Sequence, residues 1–131
     1  MSLANISNYQ IADKFYWSVS YMGAWGTGIF ENDDVLDWKE ELLESEGLDF
    51  IKETLESIIE EDDYIEVDIA SSAIGAIEVL AAIQGKPGEE LKNDSIYVEG
   101  LNEWIELHKG HGKSLLPIAK KAIKKIKKTL S

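Results

Sequence analysis

Apolar residues recur at intervals of three and four along most of the chain beyond residue 30, the pattern of helices that each bury one face. Asn32 or Asp33 can cap a first helix that runs to about Ser45, with Val35, Trp38, Leu42 and the flanking Leu36 and Leu43 as its apolar stripe. Its early acids suit the positive end of the helix dipole, and Gly47 is the expected stop. A second helix is predicted from Asp49 to about Glu61, with Ile51, Leu55, Ile58 and Ile59 inward. A third, from about Val67 to Gln84, is apolar almost all round and therefore belongs in the middle of a bundle. Ala70, Ala73, Gly75, Ala76, Ala81 and Ala82 allow its neighbours to approach closely, and Gly85, Pro87 and Gly88 end it.

Residues 85–94 read as a polar loop. A fourth helix follows from Asp94 or Ser95 to Lys109, burying Leu101, Trp104 and Ile105, with Tyr97 and Val98 as further candidates and Gly100 as its weak point. Gly110 and Gly112 bracket a break at His111. The last helix can be capped by Ser114, tolerates Pro117 in its first turn, and turns Leu115, Leu116, Ala119, Ala122, Ile123, Ile126 and Leu130 inward. The expectation is an all-α chain, a single helical bundle of about five helices.

Two stretches before residue 31 differ from this pattern. Residues 1–21 form an N-terminal extension, in which the aromatic and β-branched run from Ile11 to Val19 reads equally as a short strand or as a helix docking Phe15, Tyr16 and Trp17. Met22, which would serve as a start codon, opens a second unit, the helical domain 22–131. Its first segment, Gly23 to Phe30, has three glycines in six residues and reads as a loop.

With 131 residues the chain is long enough to bury a core without a disulfide or structural metal. It has no cysteine, which excludes thiolate metal sites and a cysteine nucleophile. The apolar run Ile69–Ile83 is broken by Ser71, Ser72, Gly75 and Glu78, so no membrane span is expected. No basic region followed by an apolar one opens the chain, and the expected location is the cytoplasm.

Charge changes the picture more. The net charge is −12, but all 25 acids lie between Asp13 and Glu106, and the seven lysines from Lys113 onward have no acid among them. The body thus carries −19 and the tail +7. There is no arginine, the residue that recognises phosphate and guanine bidentately. An acidic body also repels polyanions, so nucleic acid is not an expected partner. The lysine helix has an apolar face fit for a bundle and lacks the aromatic residues of an interfacial anchor, so no membrane partner is expected either.

The run Met22-Gly-Ala-Trp-Gly-Thr-Gly-Ile-Phe-Glu-Asn-Asp-Asp-Val-Leu-Asp-Trp38 resembles the opening signature of the bacterial DUF4259 family, a domain of unknown function. The stretch from Asp63 to Ala82 is similar to that family's central helix, and Leu115 to Ala122 to its closing helix. The likeness covers about residues 22–130, and family members begin at the methionine that matches Met22. It implies a small helical protein and carries no activity and no catalytic residues.

Candidate chemistry is confined to a few places. Glycine amides ahead of a helix can cradle an anion, but Glu31, Asp33 and Asp34 stand where a phosphate would approach. The structural alternative is that Gly23, Gly26 and Gly28 let the chain turn while Trp25, Ile29 and Phe30 pin the loop to the bundle, with Trp38 on the helix that follows as part of the same structural motif. Glu31, Asp33, Asp34 and Asp37 can instead meet a hard cation, although the run lacks the alternating pattern of a calcium loop. Glu60, Glu61, Asp62, Asp63, Glu66 and Asp68 form a second acidic cluster, the usual composition of a solvated turn or an interaction surface. Glu78 lies inside an apolar helix, either on its one exposed strip or buried with a partner. His108 and His111, spaced H-x-x-H at a helix end, are too few for a zinc site. No serine has a histidine at recognisable spacing, and no catalytic residue, metal or cofactor is assigned.

The leading expectation is a non-enzymatic interaction module, of the kind that neutralises a basic toxin, acting as a monomer or weak homodimer on a basic protein partner. The alternative is a divalent-metal or small-ligand domain built on the acidic start of the first helix. Removal of residues 1–21 is expected to leave the melting temperature nearly unchanged; a large loss would put Phe15, Tyr16 and Trp17 in the core.

Overall fold

A computed structural model of the chain describes residues 28–61 and 64–130. Every regular element among them is helical: α1 (Asp33–Glu44), α2 (Asp49–Glu60), α3 (Val67–Ile83), α4 (Glu89–Lys92), α5 (Leu101–Leu107) and α6 (Leu116–Leu130), with 3-10 turns at Ile29–Glu31, Ile96–Val98 and Lys113–Leu115. The run Ile11–Val19, Gly23, Trp25, Gly26, Asp62, Asp63 and the side chain of Leu130 lie outside the described residues.

The arrangement follows from α3. Twelve of its seventeen residues are buried, including Ile74, Ile77, Leu80 and Ile83, so it needs cover on nearly every side. The helices α1, α2, α5 and α6 supply it, and α2 also packs along α6. Ala73 and Ala76 keep the helix thin, and Gly75 has a stricter role. A Cβ there would stand 2.9 Å from Val35 Cγ1, with the Trp38 ring just beyond, so the missing side chain is what lets α1 lie against α3. The end of α3 is a Schellman turn. Gly85 (φ 93°) donates to Ala82 O at 2.9 Å and Lys86 to Ala81 O at 2.9 Å.

Asn32 caps α1, its side-chain oxygen accepting from Asp34 N at 2.8 Å and Val35 N at 3.3 Å. Val35, Trp38 and Leu42 are buried, as their spacing requires. The stop differs from expectation: the chain turns extended at Ser45, whose hydroxyl donates to Leu42 O, and Gly47 has no left-handed backbone. In α2, Ile51, Leu55 and Ile58 are buried and Ile59 is half-buried.

The segment after α3 departs most from the sequence reading. The polar loop contains the one-turn helix α4, which sends Leu91 into the core. The helix expected from residue 94 to 109 is broken: a 3-10 turn buries Val98, Gly100 takes φ 81°, and only then does α5 begin. Val98 and Leu101 are both fully buried on either side of this break. Tyr97 is left 37% exposed. Ser114 lies in the 3-10 turn ahead of α6 and Pro117 in its first turn. Leu115, Leu116, Ala119, Ala122, Ile123 and Ile126 are all buried, as expected.

Two lysines are built into this frame. Lys39 on α1 is only 4% exposed, and its ammonium donates to Tyr97 O at 3.2 Å and Glu99 O at 3.3 Å, holding the irregular segment to the first helix. Lys125 on α6 donates to Ile59 O at 2.9 Å, serving a carbonyl in the last turn of α2 that has no partner in its own helix. No helix of the described residues is long and apolar enough to cross a membrane.

Gly75→Val is expected to cost about 1–3 kcal/mol in urea unfolding by overpacking the α1–α3 contact. Lys39→Met should cost about 2 kcal/mol, since it strands two carbonyls that a charged donor now serves. An unchanged midpoint in either would remove the role given to that residue.

Candidate functional site

Three features converge near the start of α1 and the outer face of the bundle. The first is a group of carboxylates around the glycine turn. Gly28 takes φ 69° and opens the 3-10 turn that buries Ile29 and Phe30, so this loop is pinned by its apolar residues. The backbone N–H of Phe30 donates to Glu90 Oε1 at 3.1 Å, which ties the turn to α4 across sixty residues of sequence. Glu78, on α3, extends its carboxylate along Gly88; a Cβ at that glycine would stand 2.8 Å from Oε2. Glu78 is half-buried.

Burial, and then the charge of Glu90, pushes the Glu78 carboxyl up to about 7. Burial also raises Glu90; the Phe30 N–H opposes that shift in part, and the nearby Glu31 adds to it. The turn that Gly28 opens is therefore carboxylate-rich, which disfavours an anion there.

The second feature is the outer face of α1. Asp33, Asp34, Asp37, Glu40, Glu41 and Glu44 are all exposed. Of these six, only Glu40 has a lysine within ion-pair distance among the described residues, at 3.5 Å, and that lysine is the inward-turned Lys39. The face has no exposed cation of its own. Glu31 is exposed beside it, and Glu61 is half-buried at the end of α2. These carboxylates do not close around a centre: among the described residues no group of three or more His, Asp or Glu side chains is placed to hold a metal ion. His108 does not join His111 as a ligand pair; it stacks on Trp104 at 4.0 Å and its Nδ1–H donates to Trp104 O at 2.8 Å.

The third feature is a cleft of about 230 Å³ between α1, α2 and the first half of α3, lined by Trp38, Phe50, Thr54, Ser57, Asp68, Ile69 and Ser72. It follows from the close α1–α3 approach. Gly75 admits Trp38, and Ser72 and Asp68 continue the same face of α3 at helical spacing. The Trp38 and Phe50 rings stack with centroids 5.7 Å apart and an interplanar angle of 21°. The Trp38 indole N–H donates to Thr54 Oγ1 at 2.8 Å, and the Thr54 hydroxyl donates to Phe50 O at 2.9 Å, so the ring is held by both packing and hydrogen bonds. The Ser57 hydroxyl donates to Glu53 O, which leaves its oxygen as an acceptor toward the cleft. Asp68 is exposed at the rim and has no lysine partner among the described residues.

In the sequence, Trp38 stands out as a stripe and motif residue, Asp68 as part of an acidic cluster and Ser72 as a break in the apolar run, with nothing to bring them together. Phe50, Thr54, Ser57 and Glu90 do not stand out at all. A signal existed: Thr54 with Ser57, and Asp68 with Ser72, are small polar pairs at helical spacing on the edge between a buried and an exposed face.

A family model described as Domain of unknown function (DUF4259) matches residues 23–131. No curated protein and no solved structure matches the chain.

Because Glu78 holds its proton more tightly folded than unfolded, its contribution falls as pH rises from the ordinary carboxylate range through about 7. Stability should therefore be lower at pH 8 than at pH 4 through this group, and Glu78→Gln should recover on the order of 2 kcal/mol at pH 8 with little effect at pH 4. Identical pH profiles for the two proteins would show that Glu78 ionises without penalty.

Proposed function

This chain belongs to the DUF4259 family, and we propose that it is a non-enzymatic interaction module whose acidic face binds a basic protein. The observation that carries the reading is the outer face of α1, with six exposed carboxylates and its only lysine turned into the core. A helix in need of solubility alone would intersperse both signs, whereas a single-sign face steers an oppositely charged partner. The use of Lys125 as a cap for α2 and the burial of the apolar side of α6 support the same view, since they make the basic helix a structural element. The cleft beside α1 fits binding better than catalysis: its lining holds hydroxyls and one carboxylate, with no histidine or lysine to serve as a base for them. On this reading the protein acts in the cytoplasm, as a monomer or weak homodimer, on a partner such as a basic toxin.

Capture from a bacterial lysate at low and at moderate salt tests this. Basic proteins should be enriched at low salt, and association should fall by about tenfold or more between roughly 50 and 300 mM salt. The variant carrying Asp33→Asn, Asp37→Asn and Glu41→Gln should lose them while melting normally. Capture that is equally strong at high salt, or unchanged in that variant, would show that the acidic face is not the binding surface.

A further inference from the structure

We propose that the cleft between α1, α2 and α3 is a subsite for one arginine side chain of the basic partner, with Phe50, backed by Trp38, as its platform and Asp68 as its counter-ion. This rests on the interaction reading above and adds the chemistry of the group that is recognised. A volume of about 230 Å³ is below the range of drug-sized pockets, which begins near 300 Å³, and suits a single long side chain. Trp38 is only 6% exposed and stacks on the half-buried Phe50, so Phe50 is the more open aromatic ring of the lining, and the indole behind it is held by its hydrogen bond to Thr54. A carboxylate stands at the rim, and the serine hydroxyls of α2 and α3 add acceptors. A planar, delocalised cation meets all of these at once: it stacks on the aromatic face and directs its N–H fork to carboxylate and hydroxyl oxygens. An ammonium presents a more strongly hydrated point charge with no plane to stack.

Charge complementarity favours a cation over a neutral occupant. Asp34 and Glu41 flank Trp38 one turn away on either side along α1, and both are exposed. The exposed Tyr64 and Val67, 69% and 71% accessible, lie just ahead of Asp68 in the chain and offer apolar contact to whatever backbone carries the cation. The chain has no arginine of its own, so neither its remaining residues nor a second copy can fill the subsite with this group.

The test uses the full chain and Nα-acetyl-arginine amide as probe, followed by the amide and indole NMR resonances of Trp38, Phe50 and Asp68. Saturable shifts confined to the cleft are expected, with affinity in the millimolar range for one side chain. The lysine analogue should bind at least about threefold more weakly, and the uncharged citrulline analogue should not saturate. Asp68→Asn, an isosteric change at an exposed position, should weaken arginine binding by about tenfold. Ser72→Met, which fills the cleft without altering charge, should abolish it. No saturable shift overturns the proposal, as does equal binding of the lysine or citrulline analogue, or arginine binding that Asp68→Asn leaves intact. Loss of the arginine signal with salt-sensitive capture preserved would sink the subsite alone. Salt-insensitive capture would sink the wider reading instead, because the probe is read at the resonances of the cleft and not through capture of the partner.

Discussion

A helix that is apolar on nearly every side cannot face water, and in this protein α3 is that helix. Ile74, Ile77, Leu80 and Ile83 are buried together with the alanines between them, and each fully buried aliphatic side chain of that size contributes about 1.5–3 kcal/mol. Satisfying it demands neighbours around its circumference, and four helices provide them. Their distances are set by the small residues of α3. At Gly75 the constraint is atomic, because Val35 occupies the place a side chain would take. The position of α1, and with it Trp38 and the cleft that Trp38 lines, depends on that one missing Cβ.

Charge is arranged around the same frame. Lysines that approach the core are spent on backbone carbonyls: Lys39 on the segment between the 3-10 turn and α5, Lys125 on the end of α2. A buried ammonium with carbonyl acceptors, as at Lys39, has exchanged water for charge-assisted hydrogen bonds, so it supports the fold, and of the exposed α1 acids only Glu40 lies within ion-pair distance of it. The consequence is a first helix whose solvent face is purely acidic. The isolated pairs that remain at the surface, such as Lys52 with Glu56 and Lys109 with Glu106, are local to one helix or turn and contribute little.

The carboxylates at the glycine turn and the cleft below α1 are different kinds of polar site. Glu78 and Glu90 are half-buried, and burial raises both carboxyls, with the charge of Glu90 adding to the shift at Glu78 and that of Glu31 to the shift at Glu90, while the Phe30 amide donates to Glu90. The cleft keeps its carboxylate at the rim and its rings at the wall. The first resists ionisation; the second invites a cation.

The sequence by itself determined the helical class, the central place of α3, the Asn32 cap and the inward stripe of α6, because apolar periodicity and capping chemistry act over a few residues. It also determined the segregation of charge, which is a matter of counting. It misread the region from residue 85 to 100, where a polar run hides a one-turn helix and Gly100, at positive φ, separates a 3-10 turn from α5. Local pattern carries no information about which side of a break the core will lie on. Only the tertiary structure turned Lys39 inward, set Glu90 against Phe30 and Glu78, and gathered Trp38, Phe50, Thr54, Asp68 and Ser72 around one cleft. Those residues come from separate helices, and what joins them is the close approach of α1 and α2 to α3, a packing distance that no single helix encodes.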